Sequence, residues 1–331
     1  MHRWLTVGRS GARTGAVVLA CAAVVAGIIG VNSVLNGEHS GQAARMPADR
    51  GQAASAPDDG WRWESYQTIE VQVPEDWDYG VTGSPPCLVK KAQRPYVGRP
   101  GGVRAIGCRD PLPPLAYRAS YLWFDSKSRN PADHGWVEET RLVDGLQVTV
   151  LSDDDSLRRR ILDSARLIDG SDANGCTPSH PLADLPHGRP PSNGGLASLG
   201  SVESVAVCRY AIGVHAADRR APLIASSAVT GDAATTLVDA IASASEGSGP
   251  NDKECTDTYG SEILVLKIQG SNHDQEVLIR YSGCSFNGTD DGVTLRQLTA
   301  NLLQPILTGI HRPWSYTQTL YELVVGPVPP K

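Results

Sequence analysis

Five cations crowd one stretch of the chain with no acid among them: Lys90, Lys91, Arg94, Arg99 and Arg104 all lie between Cys87 and Cys108. Cations at that density repel one another unless something anionic sits near. The stretch therefore reads as a candidate anion-binding loop for an anionic cell-envelope polymer or lipid headgroups. The plainer use is pairing with acids of the same protein, whose formal charge is −6. No metal centre is expected, because there is no C-x-x-C pair and no histidine clusters beside a cysteine. No cofactor and no catalytic residue are assigned, since P-loop, G-x-S-x-G, S-x-x-K and H-E-x-x-H patterns are all missing.

Weaker signals have plainer explanations. Glu75, Asp76 and Asp78 around Trp77 could be paired glycosidase carboxylates, yet acids in a turn are ordinarily just solvated. Asn287-Gly-Thr-Asp-Asp-Gly292 has some features of a calcium loop but lacks the alternating ligands and the distant Glu. A turn leading into an Asp-capped helix is expected there. His180 and His187 fall in a Pro-rich loop, where solvated or capping roles are expected.

The chain has 331 residues, enough for about two ordinary domains. Its acidic balance excludes a generally nucleic-acid-binding protein, and 40% hydrophobic against 20% charged residues excludes a disordered one.

The N-terminus sets the compartment. Residues 1–13 carry Arg3, Arg9 and Arg13 and no acid, and residues 14–37 carry no charge at all. An apolar run of about 20 residues crosses a bilayer core, and the basic flank keeps the short tail cytoplasmic. The expected order is a cytoplasmic tail 1–13, a transmembrane helix 14–37, a disordered Gly/Ala/Ser-rich stalk 38–60, and an extracytoplasmic remainder. A cleaved signal peptide is the competing reading.

Outside that segment six cysteines remain. An even number on an oxidising side reads as three disulfides, and neighbour pairing gives Cys87–Cys108, Cys176–Cys208 and Cys255–Cys284.

The fold class expected is α+β, with antiparallel sheets and a few packed helices behind one N-terminal transmembrane helix. Thr68–Val73, Tyr117–Phe124, Leu146–Leu151, Val202–Tyr210, Ile263–Ile268 and Glu276–Tyr281 alternate as strands do, and Thr317–Val325 is read as a last strand. Ser152 is expected to cap a helix carrying Leu157, Ile161 and Leu162, with Asp154–Arg158 and Asp155–Arg159 as i,i+4 pairs. Asp232 is expected to cap a second helix carrying Leu237, Ala240 and Ile241, and a third runs from about Gly292 through Leu295, Leu298 and Leu302. These elements divide into domains 61–171 and 172–326. Val205–Tyr210 before Thr230–Thr235, and Val277–Tyr281 before Thr289–Thr294, suggest a duplication of 172–248 and 250–312.

Trp61–Gly80, Leu146–Ile168 and Ser204–Tyr210 resemble uncharacterised single-pass extracytoplasmic proteins of actinobacteria, over most of 61–310. That resemblance implies the compartment and no activity. The expected function is a non-enzymatic, membrane-anchored envelope protein that binds a ligand or another envelope protein. An extracytoplasmic hydrolase with a dispersed active site is the alternative.

Overall fold

The computed structural model describes residues 56–80, 89–100, 108–110, 112–125, 131–183, 185, 187–213, 221–252 and 259–327. The expected tail, transmembrane helix and most of the stalk lie outside them, as do Arg104, Cys21, Cys87 and Cys255. No helix among the described residues is long and apolar enough to cross a membrane.

Fifteen strands form three sheets among these residues. The smallest joins β1 (Trp61–Tyr66), β2 (Ile69–Pro74) and the two-residue β9 (Arg166–Leu167), all antiparallel. A mixed sheet runs β3-β4-β5-β8-β7-β6, from β3 (Asp78–Tyr79), β4 (Tyr96–Gly98), β5 (Tyr121–Phe124), β6 (Ala132–Asp133), β7 (Trp136–Val143) and β8 (Leu146–Ser152). Its β3–β4 and β4–β5 ladders are parallel, which corrects the expectation of antiparallel sheets at this one edge. The third sheet is antiparallel throughout, in the order β11-β10-β12-β13-β14-β15. It comprises β10 (Val202–Ala211), β11 (Leu223–Thr230), β12 (Glu262–Gly270), β13 (Asp274–Arg280), β14 (Gly288–Asp290) and β15 (Leu295–Arg296).

Strand β10 has alternate residues in two cores. Val205 and Val207 face helices α2 (Gly231–Ala242) and α3 (Ala300–Ile306), with Leu237, Ile241, Leu302 and Leu303 packed against them. Ala206, Cys208 and Tyr210 face the irregular segment after β9, where Cys208 is bonded to Cys176. This period of two, apolar on both faces, marks a strand buried on both sides. A further core gathers Tyr66, Val71, Val97, Phe124, Val148 and Ile161, and Ala211 and Ile224 from the third sheet close it. Beside it the Gln67 N–H donates to the Leu223 carbonyl at 2.7 Å. Residues 49–331 cluster as one compact unit.

Helix α1 (Asp155–Ser164) forms where expected, but its cap is Asp154, whose carboxylate accepts the Leu157 N–H at 3.0 Å. Ser152 belongs to β8 instead, where its hydroxyl meets that of Ser120 at 3.1 Å and accepts the Asp154 N–H at 3.1 Å. Arg158 turns inward to Asp155 and Glu139 rather than to Asp154, while Asp155–Arg159 forms as expected at 2.8 Å.

Two further elements depart from the sequence reading. The third helix begins not at Gly292 but at Ala300, capped by Thr299, because Asp291 locks 291–294 into a turn. Gly292 there has φ +83°, and a Cβ on it would lie 2.5 Å from the Pro190 carbonyl oxygen. So Thr289–Thr294 runs from strand into turn, whereas α2 begins at Gly231 with Thr230 in the cap position and no side-chain capping bond, and the expected cap Asp232 lies within its first turn. Thr317–Val325 contains helix α4 (Gln318–Val324), not a strand. The Thr317 hydroxyl accepts the Leu320 N–H at 3.2 Å, and Gln318 and Glu322 bond one turn apart at 2.9 Å.

Candidate functional site

Arg99, immediately after β4, is 4% exposed, although the sequence placed it on a solvent-facing loop. Its Nη2 donates to Glu64 Oε2 at 2.5 Å and to the Ser65 carbonyl at 3.2 Å, and its guanidinium lies 5.1 Å from the centre of the Phe124 ring. Glu64, 1% exposed on β1, is also held by Arg62 Nε at 2.6 Å. A buried charge survives only when paired and hydrogen-bonded, and this pair meets that condition.

Arg209 on β10 is 3% exposed. By strand alternation it shares a face with Val205 and Val207, a place that ordinarily takes an apolar side chain. Its Nη1 donates to the Arg312 carbonyl and lies 3.7 Å from Glu262 Oε2. Glu262 accepts the Trp314 backbone N–H at 2.9 Å, and burial pushes its carboxyl above the usual range against the pull of Arg209. The Trp314 ring centre is 6.0 Å from the Arg209 guanidinium.

Both arginines border one cavity of about 580 Å³, between the β3–β4 edge and the segment of residues 309–316. Arg312 and Asp78, both exposed, also line it. Neither Arg99 Nε nor Arg209 Nε has an acceptor, and the Trp314 indole N–H has none either. Tyr79 forms part of the wall; burial, and next the Glu64 carboxylate, push its hydroxyl up to about 12, so it is a neutral donor at physiological pH. Gly309 lets the 309–316 segment approach: its φ is +51° and a Cβ would sit 3.2 Å from the Tyr79 ring.

His311 lies within electrostatic reach of both arginines. It is 3% exposed and its Nε2 meets Ser227 Oγ at 2.8 Å. Burial, then the charges of Arg209 and Arg99, hold it well below the usual imidazole range. Both guanidiniums therefore lie near enough to oppose a proton on this ring.

Comparison with protein families, curated proteins and solved structures finds no match. The site must be read from its own chemistry.

Of the other cations in the expected loop, Lys90 and Lys91 are exposed, and Arg94 makes an exposed 3.4 Å pair with Asp78. Arg99 is thus set apart from Lys90 and Lys91 by burial. Arg209 and Trp314 were missed. The signal that could have found Arg209 is a charge at a core-facing position of an otherwise apolar strand.

The calcium-like segment is occupied by protein donors. Asp290 takes both Nε and Nη2 of Arg189 at 2.8 Å, and Asp291 accepts from Leu196, Val293, Thr294 and Arg296. No group of three metal-ligating side chains occurs among the described residues. His180, expected to be solvated or capping, is instead 4% exposed and 3.4 Å from Glu276. Trp77 is buried, while Glu75, Asp76 and Asp78 beside it face solvent.

Proposed function

We propose that the chain is a single-pass, membrane-anchored envelope protein whose extracytoplasmic part is a non-enzymatic binding module, taking an anionic ligand in the cleft of Arg99 and Arg209. One observation carries this reading: the two buried arginines Arg99 and Arg209 border the same cavity, which the exposed Arg312 also lines. A cavity walled by two arginines and also lined by a third favours a negatively charged occupant. The uncharged run 14–37 behind three arginines supports the anchor, and the Cys176–Cys208 disulfide supports an oxidising compartment. An anionic envelope polymer or another envelope protein is the source of ligand this location offers.

The hydrolase alternative has one contact in its favour, between Ser227 and His311. The ring's Nδ1 has no partner to orient it, and neither residue is among those lining the cleft, so binding is the better reading.

The test is calorimetric titration of the full-length chain in detergent micelles with phosphate, sulfate and acetate. Saturable binding that Arg209→Gln abolishes is expected. It should persist at physiological ionic strength, where exposed charges are screened beyond about 8 Å and any binding at Lys90 and Lys91 fades. Absence of saturable heat with all three anions ends the reading. Protease added to intact cells should remove the region after residue 60; full protection would contradict the topology.

A further inference from the structure

We propose a second binding site on the third sheet, where Lys267 of β12 and the acids Glu276 and Asp274 of β13 receive a zwitterion of the amino-acid or short-peptide class, its carboxylate at the lysine and its ammonium at the acids. It is separate from the arginine cleft, with which it shares no lining residue.

Strand register builds this site. On the face turned away from α2 and α3, the ladders set Ala228, Ala206, Lys267 and Glu276 side by side across β11, β10, β12 and β13. Two residues along each strand, Ser204, Gln269 and Asp274 form the next row. The two alanines and the serine are short, so the sheet face is hollow beside the lysine. Residues 173–175, Pro191 and Asn193 stand over it and complete a cavity of about 830 Å³, a size that holds whole small-molecule ligands.

Lys267 faces this space without a partner. Glu276 is its direct cross-strand neighbour, yet that carboxylate meets His180 Nε2 at 3.4 Å instead. Among the described residues Lys267 forms no hydrogen bond or ion pair, and its half-buried side chain lines the cavity with the amine unsealed. The Asp274 carboxylate, exposed in the same cavity, has no partner either. The hydrogen bond from His180 holds Glu276 below the usual carboxylate range, so it is ionised at neutral pH.

The charges select the ligand. A purely anionic ligand meets repulsion from Glu276 and Asp274, and a purely cationic one meets it from Lys267. A neutral ligand would cover the lysine further without a counter-charge, and burial already lowers the pKa of that amine. A ligand carrying both signs satisfies both sides. Neighbouring strands lie about 4.8 Å apart, so one small molecule can span the two columns of charge. No aromatic side chain occurs among the described residues that line the cavity; Asn174, Asn193 and Gln269 give it carboxamides, which suit the polar groups of a peptide.

The experiment is calorimetric titration of the full-length chain in micelles with glycine, glycylglycine, N-acetylglycylglycine and glucose. Binding at this site is the part that Lys267→Met removes, and Lys267→Gln serves where the methionine variant lacks the parent's cooperative unfolding. Saturable, Lys267-dependent binding of glycine or glycylglycine is expected. Preference for glycine assigns the site to free amino acids, and preference for glycylglycine assigns it to short peptides. N-acetylglycylglycine, which keeps the carboxylate and lacks the ammonium, should bind there at least about tenfold more weakly, as loss of a charge-assisted hydrogen bond predicts. Equal Lys267-dependent affinity for the acetylated and free peptides would make this a plain carboxylate site and overturn the inference. Glucose binding in place of both zwitterions would overturn it as well. So would glycylglycine binding that is lost in Arg209→Gln and kept in Lys267→Met, which would assign the heat to the arginine cleft. Absence of saturable heat from both zwitterions ends the inference, whatever phosphate, sulfate and acetate show at the arginines.

Discussion

The Glu64 carboxylate on β1 and the Arg99 guanidinium after β4 meet at 2.5 Å with both side chains almost sealed from solvent. Removing one member of such a pair leaves the other charged and buried, at a cost of about 3–5 kcal/mol. In urea titration Glu64→Gln, which leaves Arg99 without its charged acceptor, should lose about that much, and Arg99→Met less because Arg62 still holds the Glu64 carboxylate at 2.6 Å; the double variant should cost less than their sum. Single losses under about 1 kcal/mol would mean the pair behaves as a surface ion pair.

Cys176 and Cys208 are 0% exposed and close a loop of separation 32. The chain-entropy model assigns such a bridge about 3–4 kcal/mol. The double alanine variant should unfold at correspondingly lower denaturant. Cys108 and Cys284 are also disulfide-bonded, and peptide mapping without reductant should return Cys87–Cys108 and Cys255–Cys284. Crossed pairs would reject neighbour pairing.

Stability should fall on mild acidification through His311. Its folded pKa lies well below 6.5, so as pH drops below about 6.5 the unfolded chain takes up a proton that the native state refuses. Glu262 acts with opposite sign: its folded pKa is raised, so its stabilisation is present at low pH and is lost as pH rises. Melting temperatures of parent and His311→Gln between pH 7.5 and 5 separate the two. The variant should lose less stability than the parent, and parallel curves would exclude His311 as the source.

Asp291 should be the costliest acid to remove outside the cleft. Burial raises its carboxyl, but N–H donors from Thr294, Leu196 and Val293 outweigh that and hold it below the usual range. Its contribution is present at neutral pH and lost only as pH falls through that depressed value. Asp291→Ala should destabilise by about 3 kcal/mol, measured by denaturant titration, and Asp291→Asn by less because one acceptor oxygen remains.

In alternating strands such as Ile69–Pro74 and Leu146–Ser152 the apolar residues Ile69, Val71, Val73, Leu146, Val148 and Val150 all enter one core, although Glu70 and Thr149 between them are buried as well. Much of the fold is legible in such strands. Strand β7 is not, because Trp136–Val143 is a largely solvated outer strand whose charged side chains erase the apolar signal. Helix α4 was hidden by its β-branched and aromatic residues. They favour strand locally, yet Leu320 packs in the same core as Leu302 and Leu303. The site was half legible. Charge density drew notice to Arg99, but its pairing with Glu64, and its approach to Arg209 across one cavity, are long-range facts that no local pattern encodes.

The core of Tyr66, Val97, Phe124 and Ile161 is finished by Ala211 and Ile224. During synthesis, the early strands are extruded well before the residues that cover them. At ribosomal speeds the wait between Ile161 and Ile224 lasts on the order of seconds. For that interval the nascent chain carries an unroofed apolar face, and a holding chaperone has a defined window in which to engage it.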